Sequence, residues 1–146
     1  MTCKKCKKCC KWVFWLIVVA IIGIQFVPVD RSNPPATGMI EAPQDVMAIL
    51  RRSCFDCHSN ETNWPWYSYV APVSWLVAHD VKDGRDEMNF STWDQYSQKR
   101  RNHKIKECGE MVEEGEMPLW FYIPLHPEAA LSQSDIERLV SWGRGT

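Results

Sequence analysis

The 146-residue sequence predicts an all-α domain joined to one apolar transmembrane helix. Beyond residue 43, apolar residues recur at helical spacing between helix-start and helix-stop residues, and no segment alternates as a half-buried strand does. Before that point, residues 12–29 form an almost continuous apolar run. The length suits one domain plus a short segment, since domains commonly hold about 100–150 residues.

The charge balance excludes some classes of protein. The chain has 17 Lys+Arg and 18 Asp+Glu, a net charge of −1, which argues against a nucleic-acid binder that works through bulk charge. Residues 1–27 hold five lysines and no acidic residue, whereas residues 28–146 hold 12 basic and 18 acidic residues, a net charge of −6. A hydrophobic content of 45% with eight tryptophans excludes a disordered chain.

The N-terminal part predicts a basic tail over residues 1–11 and a membrane anchor over residues 12–29. Gln25 is the only strongly polar side chain in residues 12–27. The lysines before the apolar run place the N-terminus in the cytoplasm by the positive-inside rule, so we expect the remainder to lie outside the inner membrane, in the periplasm. A cleaved signal peptide has the same charge order, but no small-x-small cleavage pair follows the run closely.

Two short segments flank the predicted anchor. The tail contains Cys3, Cys6, Cys9 and Cys10, which are spaced like metal ligands. A short tail organises a metal site poorly, so we favour a basic, cysteine-rich cytosolic tail. Residues 30–43 are rich in Pro and small polar residues and predict an extended, flexible linker.

Helices are predicted within the domain over residues 44–146. The first covers residues 44–53, whose apolar residues share one face. The second begins at Pro72, a good first-turn residue, and stops at Gly84. The third covers residues 94–114, and Gly115 serves as its C-terminal stop.

The last helix has the clearest local signals. Ser132 can cap its N-terminus, and Asp135 stands three residues later, as in a capping box. Leu131 and Ile136 form a hydrophobic pair across the cap. Gly143 is the expected end of this helix.

The central motif is Cys54-Phe55-Asp56-Cys57-His58, the CxxCH pattern of covalent c-type haem attachment. Two thiols three residues apart on a tight turn can each add to a vinyl group of one haem, and the adjacent His58 then lies beneath the iron as its proximal ligand. A zinc site would need further ligands, and only Cys108 and three histidines remain on this side of the membrane. A thioredoxin-like redox pair would need a surrounding βαβ pattern, which is missing.

The iron has a second axial position, and Met117 is the favoured distal ligand. It stands in a loop after the third helix, directly before Pro118, which stiffens the backbone. His79, on an apolar face of the second helix, is the alternative distal ligand. His126 lies in a turn where a structural role is expected, and His103 lies in a basic run that faces solvent.

Several strings around and after the motif resemble the small haem-binding domain family of bacterial c-type proteins. The resemblance covers about residues 44–143. It implies a cytochrome c-like helical domain with one covalently attached haem c, and it supports Cys54, Cys57, His58 and Met117 as haem-binding residues. The matching strings beyond the motif are Ser59-Asn60-Glu61-Thr62, Pro65-Trp66-Tyr67-Ser68, Ala71-Pro72-Val73-Ser74-Trp75, His79 to Arg85, Asn89-Phe90-Ser91-x-Trp93 and Gly115-Glu116-Met117-Pro118.

Electron transfer is the predicted function, because an iron held by His58 and Met117 has no open position for a substrate. The expected partners are redox proteins, among them a respiratory complex, together with the membrane through residues 12–29. Tryptophans are available to exclude water from the haem, although core packing is their default role; they are Trp64, Trp66, Trp75 and Trp120. A basic run is either a docking patch for an acidic partner or a solvated helix face; it comprises Lys99, Arg100, Arg101, Lys104 and Lys106.

Other functions stay open at this point. A haem peroxidase or a gas or redox sensor would need an open or displaceable distal position, and His79 with Arg85 would then supply polar distal groups. A fixed haem subunit of a larger membrane complex is a further alternative. Cys108 is expected to be a free, buried thiol on the third helix.

Overall fold

The computed structural model describes residues 4–145, with side chains from residue 9 onward. This part of the chain contains helices and turns and no β-strand, apart from an isolated bridge between Gly38 and Thr92, which confirms the predicted all-α class. Short 3-10 turns connect some of the helices. The α-helices are α1 (Lys4–Ile24), α2 (Gln44–Ser53), α3 (Phe55–His58), α4 (Val73–Glu87), α5 (Gln98–Glu113) and α6 (Gln133–Arg144).

The first two helices of the predicted domain differ in how closely they match. Helix α2 has the predicted bounds. Helix α4 begins one residue after Pro72 and runs to Glu87, so Gly84 lies inside the helix and does not stop it. A glycine is found inside a helix when a neighbouring segment packs so closely that a side chain would not fit.

Helix α5 is shorter than predicted at its start. Residues Trp93–Gln95 form a 3-10 turn, and the side chain of Ser97 caps α5 by accepting a hydrogen bond from the Arg100 N–H. The predicted stop at Gly115 is confirmed, because this glycine follows the helix with a φ of 75°. That φ is left-handed and is best tolerated by glycine.

Helix α6 has the predicted capping box and a different end. The Ser132 side chain accepts from the Asp135 N–H, and the Asp135 side chain accepts in return from the Ser132 N–H. The helix continues through Gly143, where a Cβ atom would lie 3.1 Å from the Ile105 carbonyl oxygen. Gly143 therefore permits the close packing of α6 against α5 and is not the helix end.

The chain divides into two compact units. The first comprises Met1–Arg31 with Trp64–His79. In this unit the Gln25 side chain donates a hydrogen bond to the Ala71 carbonyl oxygen (3.1 Å) and accepts one from the Ala71 N–H (2.9 Å). Arg31 donates to the Ser68 carbonyl oxygen, so the chain after α1 is fastened to this segment.

The predicted anchor over residues 12–29 is not supported. Helix α1 ends at Ile24, and its apolar part from residue 12 spans about 20 Å at about 1.5 Å per residue. Within residues 4–145, none of the helices combines the length and the apolar character that crossing a membrane needs. Of the tail cysteines, Cys9 and Cys10 are free and exposed, whereas Cys3 and the Cys6 side chain lie outside the described part.

The second unit comprises Ser32–Asn63 with Asp80–Thr146 and contains the main core. The predicted linker belongs to it from residue 32 onward and is extended but not free. Asn33 donates to the Thr62 carbonyl oxygen (2.9 Å), and the Ile40 N–H donates to the Phe90 carbonyl oxygen (2.8 Å). The core contains Ile40, Val46, Ile49, Leu50, Phe55, Met88, Phe90, Trp93, Tyr96, Ile105, Val112 and Leu139.

Candidate functional site

The CxxCH motif begins at Cys54, the residue between α2 and α3, and its other four residues form the whole of α3. The Cys54 N–H donates to the Leu50 carbonyl oxygen (2.9 Å), and the His58 N–H donates to the Cys54 carbonyl oxygen (3.0 Å). Cys54, Cys57 and His58 therefore lie on one short helical turn, each half-buried. This is the arrangement in which two side chains three residues apart face the same side.

Both motif thiols are free in the structure. Burial raises the pKa of the Cys57 thiol to about 12 and that of Cys54 further above its usual range, so both are neutral at pH 7. Metal binding needs thiolates, and within the described residues no three His, Cys, Asp or Glu side chains come together to hold a metal ion. The zinc alternative thus finds no ligand set in this part of the chain.

The His58 ring has a defined tautomer. Its Nδ1 atom lies 2.9 Å from the Gly84 carbonyl oxygen and 3.1 Å from that of Met88. Because carbonyl oxygens only accept, Nδ1 carries the hydrogen and Nε2 keeps its lone pair. Burial lowers the pKa of the His58 imidazole and favours the neutral ring that binds a metal.

Gly84 allows α4 to approach the motif closely. A Cβ atom at this position would lie 2.7 Å from the Cys57 carbonyl oxygen and 3.2 Å from the Cys57 Cβ atom. Because Gly84 has no side chain, α4 can lie close to the motif. The same close approach brings the Gly84 carbonyl oxygen within hydrogen-bond distance of His58. Sequence reasoning missed this role, because nothing local distinguishes a packing glycine from a helix stop.

The turn after the motif is held by Arg85. Its Nε atom donates to the Ser59 carbonyl oxygen (2.8 Å), and one terminal nitrogen donates to the Ser32 carbonyl oxygen (2.9 Å). The other terminal nitrogen donates to Oδ1 of Asn33 and Oγ1 of Thr62, both at 2.8 Å. The guanidinium is thus committed to fixing the backbone, which disfavours its predicted use as a polar distal group.

A buried polar network joins the residues directly after the motif to the segment that follows α4. The Asn89 side chain donates to Oδ1 of Asn60 (2.8 Å), and the Ser91 hydroxyl accepts from the Asn60 N–H (3.0 Å). The Phe90 N–H donates to the His58 carbonyl oxygen (2.7 Å), and the Phe90 ring centre lies 6.0 Å from that of His58. Satisfied buried networks of this kind give a single arrangement of the chain.

Met117 follows a tight reversal at the end of α5. The Glu116 N–H donates to the Met111 carbonyl oxygen and the Gly115 N–H to that of Val112, which is the Schellman pattern. Met117 is half-buried and packs against the core cluster that Cys54 also contacts. Its backbone N–H also donates to the Met111 carbonyl oxygen (3.3 Å), so the turn positions this residue.

The loop beyond Met117 is joined to the motif by a side-chain hydrogen bond. The Tyr122 hydroxyl donates to Oδ2 of Asp56 (2.8 Å), the residue between Phe55 and Cys57. The sequence contains no local signal for this pair, because the two residues are 66 positions apart.

The remaining histidines occupy different surroundings. His79 is exposed on α4 within the first unit, and His103 is exposed on α5 as predicted. The His126 ring stacks on Tyr122 with centroids 4.1 Å apart, and its Nδ1 lies 3.2 Å from a Glu128 oxygen. His126 thus makes the structural contacts that its turn predicts.

The sequence left two roles open for each of two side-chain groups, the tryptophans and the basic run. Among the tryptophans, Trp66 is 77% and Trp120 is 82% exposed, so neither packs into the core. In the basic run, Lys104 pairs with Glu87 and Glu107 on or beside its own helix. Lys104 is buried within these pairs, whereas Lys106 is exposed and pairs with Glu110. The pairings favour a charge-paired helix face over a free docking patch. Cys108 is a free thiol that packs against the core, and it is half-buried where the sequence predicted full burial.

Comparison with known proteins gives one family match that covers the site residues. A family model described as a haem-binding domain matches residues 19–144, which include the whole CxxCH motif, Gly84 and Met117. No curated protein and no solved structure matches the chain.

Proposed function

The chain belongs to the haem-binding domain family, and on that basis we propose that it is a monohaem c-type cytochrome that transfers electrons. The observation that carries the proposal is the His58 tautomer. A histidine whose Nδ1–H is held by backbone carbonyls presents Nε2 to iron in a fixed orientation and as a neutral ligand. The single CxxCH motif supports one haem per chain.

The motif residues fit covalent attachment. Cys54 and Cys57 are unpaired, protonated thiols on one turn beside His58. Each thiol would add across a vinyl group, with the sulfur bonding to one carbon and the thiol hydrogen passing to the other. When bound, haem would supply an iron that cycles between the ferric and ferrous states by gaining or losing one electron.

Met117 is the proposed distal ligand. The Schellman turn at Gly115 orients the segment, and the half-buried Met117 side chain packs against the same core cluster as Cys54. A thioether ligand raises the reduction potential relative to a second histidine and closes the iron to substrates. A peroxidase or sensor is disfavoured, because Arg85 uses its donors to hold backbone and side chains around the motif.

The proposed location is the outer side of the cytoplasmic membrane, with redox proteins of that membrane as partners. The basic-then-apolar order of residues 4–27 is shared by membrane anchors and export signals. Large apolar side chains of α1, among them Trp12, Phe14 and Leu16, are exposed and would be covered by lipid. Fractionation of cells with protease protection tests this location, and a protease-resistant haem domain in intact spheroplasts contradicts it.

Optical spectroscopy of the haem-loaded full chain tests the function. We expect the ferric protein to show a thioether-to-iron charge-transfer band, and Met117→Ala to abolish it. The matched variant His79→Ala removes the rival ligand and is expected to keep the band. A parent spectrum typical of two nitrogen ligands that is lost in His79→Ala contradicts the Met117 assignment. Rapid binding of carbon monoxide to the reduced parent contradicts an iron with both axial positions occupied.

Covalent attachment is tested separately by acid extraction of the haem. The parent is expected to keep its haem through denaturation and extraction with acidified organic solvent. The double variant Cys54→Ser with Cys57→Ser is expected to lose all of it, while Cys108→Ser keeps it. Complete extraction of haem from the parent contradicts the c-type proposal but leaves haem binding itself intact.

A further inference from the structure

The segment that follows α5 is held in place on both sides of Met117, by the turn at Gly115 before it and by a hydrogen bond to the motif after it. We call residues 116–126 the distal loop. Its first residues are set by the reversal at Gly115, and Met117 lies just after that reversal. Five residues further on, the Tyr122 hydroxyl reaches Oδ2 of Asp56 at 2.8 Å. Met117 therefore lies between two points at which the loop is held.

The acceptor of this bond is itself fixed. Oδ1 of Asp56 accepts from the Asn63 N–H (2.9 Å), which leaves Oδ2 for Tyr122. The Asp56 carbonyl oxygen accepts from the Thr62 hydroxyl (2.7 Å). Because the carboxylate is held by its neighbours, little side-chain entropy remains to be lost when Tyr122 binds it.

The donor is fixed as well. The Tyr122 ring stacks on the His126 ring with an interplanar angle of 9°, and the Tyr122 N–H donates to the Leu119 carbonyl oxygen (2.9 Å). Tyr122 is half-buried, so its bond to Asp56 is partly shielded from water. Hydrogen bonds to a carboxylate are roughly twice as strong as those between neutral groups.

We propose that Tyr122 is a positioning residue that acts through Asp56 to keep Met117 at the distal position. The inference depends on the proposed function, since it assumes that Met117 is the distal ligand. Asp56 lies between the haem-attaching cysteines, so the bond ties the distal loop directly to the attachment turn. Loss of the bond frees the loop beyond Met117 and lets the thioether leave the iron more readily.

The test is the rate at which imidazole displaces the thioether from the ferric, haem-loaded full chain. Loss of the charge-transfer band follows this displacement. We expect Tyr122→Phe to keep the band at rest and to lose it about tenfold faster than the parent, since a hydrogen bond to a charged group commonly contributes at least this much. The phenyl ring preserves the stacking on His126, so the fold is retained.

Three further variants separate this role from general destabilisation. Tyr96→Phe removes a phenolic hydroxyl that accepts from the Asn89 N–H, and it is expected to leave the displacement rate unchanged. Asp56→Ala removes the acceptor, and combining it with Tyr122→Phe is expected to add no further acceleration, because both variants break the same bond. Asp56→Asn has one acceptor oxygen for the two donors Tyr122 and Asn63 and carries no charge, so its displacement rate is expected to lie between those of Asp56→Ala and the parent.

The outcomes distinguish the inference from the function beneath it. A Tyr122→Phe rate equal to that of the parent overturns the positioning role while the proposed function stands. Additive acceleration in the double variant also overturns it, since independent effects would then be at work. A parent without the band overturns the Met117 ligation and this inference together.

Discussion

The imidazole Nδ1 of His58 lies 2.9 Å from the carbonyl oxygen of Gly84, 26 residues further along the chain. The close approach is possible because Gly84 has no Cβ atom, which would otherwise lie 2.7 Å from the Cys57 carbonyl oxygen. One residue of α4 therefore makes room for the motif and also orients its histidine. The Nε2 lone pair of His58 is fixed as a consequence.

Gly84→Ala tests this relationship. The added methyl group must displace backbone, so we expect the free energy of unfolding to fall by about 1–3 kcal/mol, as is common for overpacked cores. We also expect the haem reduction potential to shift, because the Nδ1 hydrogen bond lengthens. Thermal unfolding and voltammetry of the haem-loaded chain measure the two effects.

Gly23→Ala is the matched control, since a Cβ atom there meets nothing within 4 Å. It is expected to leave both the unfolding free energy of the haem domain and the potential unchanged. A Gly84→Ala protein with the stability and potential of the parent would show that α4 does not orient His58.

Gly115→Ala tests the reversal before Met117. Its φ of 75° is unfavourable for a residue with a Cβ atom and costs roughly 1–2 kcal/mol. We expect lower stability together with faster displacement of the thioether by imidazole, because the Schellman turn positions Met117. Gly115→Asn, which tolerates this conformation better, is expected to fall between alanine and the parent. Equal displacement rates in all three proteins would separate the turn from the distal ligand.

Arg85→Lys tests the clamp on the turn after the motif. Lysine has one charged nitrogen and cannot reproduce the fork that reaches Ser59, Ser32, Asn33 and Thr62. We expect a loss of about 2 kcal/mol in urea unfolding and no gain in carbon monoxide binding. Lys82→Arg, in an exposed pair with Asp86 on the same helix, is the control and is expected to be neutral. Altered gas binding with unchanged stability would instead place Arg85 at the distal side.

Acid sensitivity is expected from the α6 capping box. The hydrogen bond from the Ser132 backbone N–H holds the pKa of the Asp135 carboxyl below its ordinary value of 3.8, and the pairs with the Ser132 hydroxyl and Arg52 act in the same direction. A lowered pKa in the folded state means that the carboxylate stabilises the fold above this ordinary value. The contribution is lost as the pH falls through the folded-state pKa.

Urea unfolding at pH 7 and at successive values down to pH 3 measures this dependence. Asp135→Asn is expected to lower stability at pH 7 and to flatten the acid-dependent loss. An Asp135→Asn protein with an unchanged slope would assign the acid sensitivity to other carboxyls.

Much of the helical architecture could be predicted because its signals are local. The bounds of α2, the capping box at Ser132 and the left-handed stop at Gly115 depend on residues within one or two turns of one another. The predicted ends at Gly84 and Gly143 were wrong for one shared reason. Each glycine admits a neighbouring backbone, and that neighbour comes from a distant part of the chain.

The membrane prediction shows the limit of composition. The apolar run continues past Ile24, but Gln25 forms two hydrogen bonds with Ala71, and the helix ends before it. An apolar run indicates which residues can form a helix in lipid. The length of the helix in the structure also depends on contacts at its end, such as those between Gln25 and Ala71. Likewise, the proline-rich segment at residues 30–43 is extended as predicted, yet its hydrogen bonds to Thr62 and Phe90 remove the expected freedom.

By itself, the sequence determined the residues of the candidate site, two thiols and an imidazole in a CxxCH motif, and the helices with recognisable caps that follow it. Only the tertiary structure decided which nitrogen of His58 is available, what Arg85 holds and how Tyr122 reaches Asp56. The physical reason is range. Covalent spacing and capping act within a few residues, whereas hydrogen-bond partners 26 or 66 positions apart meet only after the chain has packed.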